Sequence, residues 1–191
     1  MKRVKLIFLL FFTTFSMIAT AQANKSYHGD GIDDYLRFVP FASVFALKAI
    51  GVESTHSWKQ LTLRAAASGA MTAGITFTLK QIIHKKRPDG TNRQAFPSGH
   101  TSFAFAGATV LCKEYGSVSP WIAVAGYGVA TATAISRVCR HRHDWTDVAV
   151  GAGIGILSTE ACYRLGDLLT GEKSKYSVAV APNGLQLIVK L

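Results

Sequence analysis

The chain has 191 residues, enough for one domain with a full core and too few for two domains of ordinary size. Hydrophobic residues make up 49% and charged residues 17%, which is more apolar than a typical soluble enzyme and favours a membrane protein with polar loops. The formal net charge of +10 does not indicate nucleic-acid binding, because no reading element accompanies the basic residues. An anionic lipid or a phosphate group suits this excess of Lys and Arg better.

The N-terminal segment predicts export. Residues 1–23 begin with basic residues, continue through an apolar run and end in Ala21-Gln22-Ala23, the small-x-small pattern of a signal-peptidase site. An uncleaved first transmembrane helix is the alternative. Both alternatives send the residues that follow out of the cytoplasm.

Five apolar segments follow the polar stretch at residues 24–34. They cover residues 35–52, 61–83, 101–112, 121–136 and 148–169. The predicted fold class is all-α, a membrane-embedded bundle of five to six helices, although several segments are short for a bilayer, where about 20 residues are needed. Small residues such as Gly151 and Gly155 allow close contact between helices.

The C-terminal tail, residues 171–191, has a different pattern. Apolar residues alternate on both sides of Pro182-Asn183-Gly184, and Asn-Gly is a common turn of β-hairpins. A short hairpin is therefore possible in the tail, and it would need a surface to pack against. No function is assigned to it.

Three polar motifs lie at the ends of apolar segments. They read KQIIHKKRP at residues 80–88, PSGH at 97–100 and SRVCRHRHDWTD at 136–147. If the first segment leads outward, counting the crossings puts all three motifs on the extracytoplasmic side. Their many cations then depart from the usual excess of Lys and Arg in cytoplasmic loops. This departure predicts an anion-binding site.

The first two motifs have the spacing of a phosphate site. Lys80 and Arg87 are two helical turns apart, so both can contact one anion, although lipid headgroups are an alternative partner. Ser98 can cap the next helix, whose free N–H groups attract phosphate, and Gly99 lets the backbone come close. His100 can donate a proton to a leaving oxygen. An ordinary Ser cap with an exposed His is the alternative.

The third motif supplies a candidate nucleophile. His143 and Asp147 are four residues apart on one helical face, so the carboxylate can hold one ring nitrogen protonated and leave the other free to attack. Arg137 adds a bidentate grip on phosphate oxygens, and Ser136 adds a hydroxyl group. A structural His–Asp pair is the alternative.

Together the motifs follow the order Lys-x6-Arg-Pro, Pro-Ser-Gly-His and Ser-Arg-x5-His-x3-Asp, with all eleven specified positions matched. In this the chain resembles the type 2 phosphatidic acid phosphatase superfamily, which includes bacterial acid phosphatases and vanadium haloperoxidases. The resemblance covers residues 80–147 and implies a helical phosphatase domain over residues 24–170.

The resemblance also implies roles for the matched residues. Five would bind the substrate phosphate: Lys80, Arg87, Ser98, Gly99 and Arg137. His143 would attack phosphorus and form a phosphohistidine. His100 would protonate the leaving group and then activate water, while Asp147 would orient His143. No metal or other cofactor is expected, because a two-metal site needs several clustered carboxylates and cations predominate here.

The expected reaction is metal-independent hydrolysis of a lipid phosphate at the periplasmic face of a bacterial inner membrane. Lipid A is the preferred substrate, because a basic rim is combined with Gly99. The expected partners are the phosphorylated lipid and the bilayer, with no nucleic acid and no protein partner. The alternatives are an undecaprenyl pyrophosphate or glycerophospholipid phosphatase, a soluble secreted acid phosphatase, and a noncatalytic protein that binds anionic lipids.

Overall fold

The computed structural model describes residues 31–170, 176–181 and 184–189. Six helices occupy most of the first range. They are α1 (Ile32–Leu36), α2 (Val39–Ala49), α3 (Trp58–Ile83), α4 (Gly99–Tyr115), α5 (Pro120–Cys139) and α6 (Trp145–Thr170). The prediction of a helical bundle is confirmed for this part of the chain. The predicted signal segment, residues 1–23, lies outside the described residues.

The apolar segments match helices with one difference. Residues 35–52 do not form a single helix, because α1 ends at Leu36 and α2 begins at Val39. Pro40 lies in the first turn of α2, where its missing N–H breaks no hydrogen bond. The break allows α1 to lie against the start of α4, where Asp34 contacts His100.

The central helix is α4, of whose 17 residues all but four are buried. Two glycines of α6 allow the closest approach to it. A Cβ at Gly151 would lie 2.7 Å from the carbonyl oxygen of Ser98, and one at Gly155 would lie 2.2 Å from that of Ser102. These contacts are possible only without side chains, as the sequence predicts for these glycines. They bring the start of α6, next to the third motif, against the second motif.

Larger side chains fill the opposite half of the bundle. The fully buried members are Val44 of α2, Leu61 of α3, Val110 and Tyr115 of α4, and Tyr163 of α6. Burial of one large apolar side chain stabilises a protein by about 1.5–3 kcal/mol. This core therefore fixes the relative positions of the helices that carry the three motifs at their other ends.

Within the described residues, α5 is a helix long and apolar enough to cross a membrane. Large apolar side chains are also exposed on other helices, among them Leu63 and Phe77 of α3 and Leu157 and Leu165 of α6. An apolar surface of this kind suits contact with lipid. Embedding of the whole bundle in a membrane stays a prediction.

Two strands follow the helices, in the tail where the sequence suggests a hairpin. They are β1 (Tyr176–Ala181) and β2 (Gly184–Val189), and they pair antiparallel. The register places Tyr176 opposite Val189 and Ala181 opposite Gly184. Residues 182 and 183, on which the predicted turn falls, lie outside the described residues.

Candidate active site

Residues from all three sequence motifs meet around one cavity of about 470 Å³. The predicted site residues that line it are Lys80, Arg87, Gly99, His100 and His143. The other three predicted residues are buried in the protein: Ser98, Arg137 and Asp147. The fold thus brings distant parts of the sequence to one end of the bundle.

The ring of His143 is held by the backbone. Its Nδ1 lies 2.6 Å from the carbonyl oxygen of Ala95, and the residue is only 2% exposed. A carbonyl oxygen can only accept a hydrogen bond, so Nδ1 carries the proton and Nε2 keeps its lone pair. Burial and the positive charge of Arg137 lower the pKa of His143 to about 3. At neutral pH His143 is therefore an uncharged imidazole with a lone pair on Nε2.

In this structure Asp147 forms hydrogen bonds with groups other than His143. Its Oδ2 lies 3.7 Å from Nδ1 of His143, beyond hydrogen-bond distance. Its Oδ1 accepts a hydrogen bond from Nζ of Lys85 at 2.7 Å, and Oδ2 accepts one from the N–H of Asp144 at 2.9 Å. The ammonium group and the backbone N–H of Asp144, just before α6, hold the carboxylate, and the carbonyl oxygen of Ala95 accepts the hydrogen bond from the ring. An orienting role for Asp147 stays a prediction.

Lys80 and Arg87 are cations that line the cavity with no carboxylate within salt-bridge distance in the described part of the chain. Nζ of Lys80 donates to the carbonyl oxygen of Gln94 at 2.6 Å, and the buried Nε of Arg87 has no partner among these residues. Burial, Arg142 and Arg137 lower the pKa of Arg87. Like charges crowded in this way favour the binding of an anion.

The start of α4 forms another side of the cavity. Ser98 is the N-cap residue, as predicted, but its Oγ makes no capping bond and lies 3.0 Å from Oγ1 of Thr101. Its N–H donates to the carbonyl oxygen of Asp147 at 3.0 Å, which ties α4 to α6. A Cβ at Gly99 would lie 3.8 Å from Cε of Lys80. Glycine therefore leaves space beside this cation, at a helix N-terminus that attracts anions.

Arg137 is anchored by a carboxylate of α1. Asp33 is fully buried, and its oxygens accept from Nη1 of Arg137 at 2.5 Å, Nη1 of Arg140 at 2.5 Å and Oγ of Ser136 at 2.9 Å. Burial raises the pKa of Asp33, but the two guanidinium groups outweigh it and lower the pKa to about 2. Nε of Arg137 has no partner among the described residues, although the side chain is only 3% exposed. A contact of Arg137 with the substrate phosphate stays a prediction.

The neighbouring carboxylate contacts the predicted general acid. Oδ1 of Asp34 lies 2.5 Å from Nε2 of His100. Burial and the charge of Arg137 outweigh this carboxylate and lower the pKa of His100 to about 4. In this structure His100 is therefore uncharged at neutral pH.

Asp33, Asp34 and His100 place three possible metal-ligand atoms within 4.8 Å of one another. Two guanidinium groups already bind Asp33, and His100 and the N–H of Gly31 bind Asp34. These contacts give both carboxylates partners without a metal ion. The expectation that the reaction needs no metal stays a prediction.

Four groups of the site have no role in the sequence-based prediction: Asp33, Asp34, the Lys85 ammonium as a partner of Asp147, and the Ala95 carbonyl. For Asp33 and Asp34 the sequence contains a pattern that could have indicated their role. Adjacent acidic residues beside an apolar segment, in a chain with many cations on the same side, are candidates for buried counter-ions. Ala95 acts through its backbone, which leaves no signal in the identity of the side chain.

The bundle and its cation-lined cavity define a class of helical protein suited to binding phosphate. The chain belongs to the PAP2 superfamily, whose sequence pattern matches residues 61–170. The matched range begins in α3, ends with α6 and includes all the predicted site residues. The resemblance inferred from the motifs is confirmed.

Particular relatives carry the names of phosphatases. Over 147 residues the chain is 39% identical to lipid A 1-phosphatase of Porphyromonas gingivalis, a match that covers 76% of this chain and 33% of that protein. It is 38% identical over 82 residues to lipid phosphate phosphatase 1 of Arabidopsis thaliana, covering 37% of this chain and 25% of that protein. The chain thus spans about a third or less of the length of these relatives.

A solved structure has a similar fold. The chain is similar to the crystal structure of Aquifex aeolicus LpxE with a TM-score of 0.56 and 20% sequence identity. The similarity covers 70% of this chain and 84% of that chain. At this level of identity the likeness concerns the fold.

Proposed function

We propose that this chain hydrolyses a phosphate ester of a membrane lipid. The observation that carries the proposal is the composition of the cavity. Its polar part includes Lys80, Arg87, His100 and His143, and its apolar part includes Phe38, Phe77 and Phe103. A phosphate group suits the cations, and an acyl chain suits the aromatic rings. A small, fully polar phosphomonoester has no use for the apolar part.

The proposed reaction begins with His143. Its Nδ1–H donates to Ala95, so the lone pair of Nε2 can form a bond to phosphorus. As the N–P bond forms, the P–O bond to the leaving group breaks, and the leaving oxygen takes a proton from His100. The cations that line the cavity offset the negative charge of the phosphoryl oxygens.

The second half of the reaction returns the protein to its starting state. Water attacks the phosphorus of the phosphohistidine, and neutral His100 accepts the proton of this water. The N–P bond breaks and releases inorganic phosphate and His143. The first half needs a charged His100, and a bound phosphate favours this form because it offsets the charge of Arg137.

Lipid A is the proposed substrate. A relative that is 39% identical over the matched region carries the name lipid A 1-phosphatase. Gly99 also leaves room beside Lys80, where a bulky headgroup has to approach. We propose the periplasmic face of the inner membrane as the location, on the basis of the N-terminal export pattern and the count of membrane crossings.

Phosphate release from purified lipids in detergent micelles tests the proposal. We expect faster release from lipid A than from undecaprenyl pyrophosphate, phosphatidylglycerol phosphate or phosphatidate. His143→Ala is expected to lower release by at least about 10³-fold, because it removes the nucleophile. Circular dichroism and vesicle binding should be unchanged in this variant.

The outcomes separate the alternatives. Unchanged release by His143→Ala would remove His143 as the nucleophile, and equal rates on all lipids would remove the preference for lipid A. Binding to lipid vesicles without release by the wild-type protein would indicate a noncatalytic lipid binder. Recovery of the protein from cells in buffer without detergent would favour the soluble acid phosphatase.

A further inference from the structure

The contact between Asp34 and His100 is supported from several directions. Oδ1 of Asp34 lies 2.5 Å from Nε2 of His100, and Oδ2 accepts a hydrogen bond from the N–H of Gly31 at 2.8 Å. Nε of Arg37 donates to the carbonyl oxygen of Asp34 at 3.1 Å. Nη1 of Arg140 lies 3.9 Å from Oδ2. The carboxylate is therefore held in one position beside the imidazole.

The helix that carries Asp34 is fixed by its other acidic residue. A helix of five residues is too short to be stable by itself. Asp33, next to Asp34, is fully buried and bonded to Ser136 and Arg137 of α5 and to Arg140, which follows α5. The position of Asp34 is thus set by the packing of α1 against the bundle.

We infer that Asp34 is a positioning residue, which holds Nε2 of His100 and favours the charged form of this ring during catalysis. The inference rests on the proposed function. Because Asp34 occupies Nε2, Nδ1 is the ring nitrogen left to give a proton to the leaving oxygen and to take one from water. A carboxylate that orients an imidazole and stabilises the imidazolium is an established device in hydrolases.

The surroundings of His100 explain why such a partner is needed. The charged and titratable groups around it are Asp34, Arg37, Lys80, Arg87, Arg137 and His143. Most of these are cations, and the ring is largely buried, so the protein opposes a charge on His100. A general acid must nevertheless hold its proton until the leaving group departs. Asp34 is the carboxylate of this set, and it offsets part of the repulsion.

Asp34→Asn tests the inference in the full chain. The amide keeps the shape of the side chain but removes its negative charge. We expect the rate of leaving-group release from an alkyl phosphate to fall by about 10²-fold, the size of a general-acid contribution. The burst of p-nitrophenol from an aryl phosphate should change little, because this leaving group departs without a proton. The alkaline limb of the kcat profile should move to lower pH.

Glu53→Gln is the matched control, because it makes the same change at an exposed carboxylate. Glu53 precedes Thr55, whose N–H donates to the carbonyl oxygen of Glu114 near the C-terminal end of α4. Along α4, Glu114 lies 14 residues after His100, a distance of about 21 Å. No effect on release or on the pH profile is expected.

A double-variant experiment separates positioning from a purely structural role. If Asp34 acts through His100, then Asp34→Asn should cause no further loss in a His100→Gln background. A further loss there, or an equal loss on alkyl and aryl substrates, would overturn the inference. Failure of the wild-type protein to hydrolyse either substrate would instead overturn the proposed function, and the inference with it.

A measurement on the wild-type protein covers the case in which Asp34→Asn does not fold. Nitrogen-15 NMR of histidine reports which ring nitrogen carries the proton. The contact with Asp34 predicts that Nε2 of His100 is protonated in the neutral ring. Protonation of Nδ1 in its place would overturn the inference without any variant.

Discussion

Charged side chains are buried at both ends of α4, but at the C-terminal end each of them has a partner of opposite charge or a hydrogen-bond donor. There, Glu114 lies 2.9 Å from Nδ1 of His56 and accepts a hydrogen bond from the hydroxyl group of Tyr163 at 2.7 Å. The adjacent Lys113 lies 2.8 Å from Glu160. Such pairing is what the burial of charged groups requires.

At the N-terminal end of α4, some cations remain without a carboxylate. Asp33 and Asp147 pair with several of the basic side chains there. Lys80 and Arg87 nevertheless line the cavity with no carboxylate within salt-bridge distance among the residues that the structure describes. A partly buried charge without a counter-ion is unfavourable unless a ligand shares it. The paired charges hold the bundle together, while the cations without a salt bridge mark the place for an anion.

Arg87→Met removes one of the cations that have no salt bridge, and it should reduce activity more than any other single change considered below. We expect kcat/KM for lipid phosphate to fall by about 10²–10³-fold, because a donor to the phosphoryl oxygens is lost. The Tm should stay the same or rise, since Arg142 and Arg137 repel Arg87 in the folded protein. Phosphate release and thermal unfolding are measured on one preparation. A lower Tm with full activity would assign Arg87 to the structure and not to the site.

Glu114→Met makes the opposite change at the other end. The free energy of unfolding should fall by about 1–3 kcal/mol, because His56 and Tyr163 lose a buried acceptor. The kcat of the folded fraction should not change, because α4 separates Glu114 from His100. Denaturation followed by circular dichroism, with activity normalised to folded protein, measures both. Loss of kcat at full stability would show that the two ends are coupled.

The dependence of stability on pH gives the smallest expected effect. The pKa values of His143 and His100 are lowered to about 3 and about 4 from an ordinary value of 6.5. Below pH 6.5 the unfolded chain therefore binds protons that the folded protein does not, so stability is full above pH 6.5 and falls toward pH 4. The Tm should fall over this window by about 2–4 °C for each kcal/mol lost.

The variant with both His100→Gln and His143→Gln checks the origin of this effect. Removal of both rings should make the fall in Tm between pH 6.5 and pH 4 shallower. A fall as steep as that of the wild-type protein would mean that other groups are responsible. The window stays above the pKa of Asp33, which is about 2 and affects stability at lower pH.

Local patterns in the sequence were enough to predict most of the helices and the residues that line the cavity. The period and length of apolar segments reflect local backbone preferences and burial, so the segments at residues 61–83, 101–112, 121–136 and 148–169 match α3 to α6. The order and spacing of the motifs led to the PAP2 superfamily. Five of the residues that were predicted from the motifs line the cavity.

The hydrogen-bond partners of these residues could not be predicted without the three-dimensional structure. His143 and Asp147 are four residues apart, yet Nδ1 of His143 donates its hydrogen bond to the carbonyl oxygen of Ala95, which is 48 residues earlier in the chain. Asp34 reaches His100 across 66 residues, because α1 separates from α2 and lies against α4. Spacing along one helix follows from its geometry. Contacts between distant segments depend on how the whole bundle packs, which no local pattern encodes.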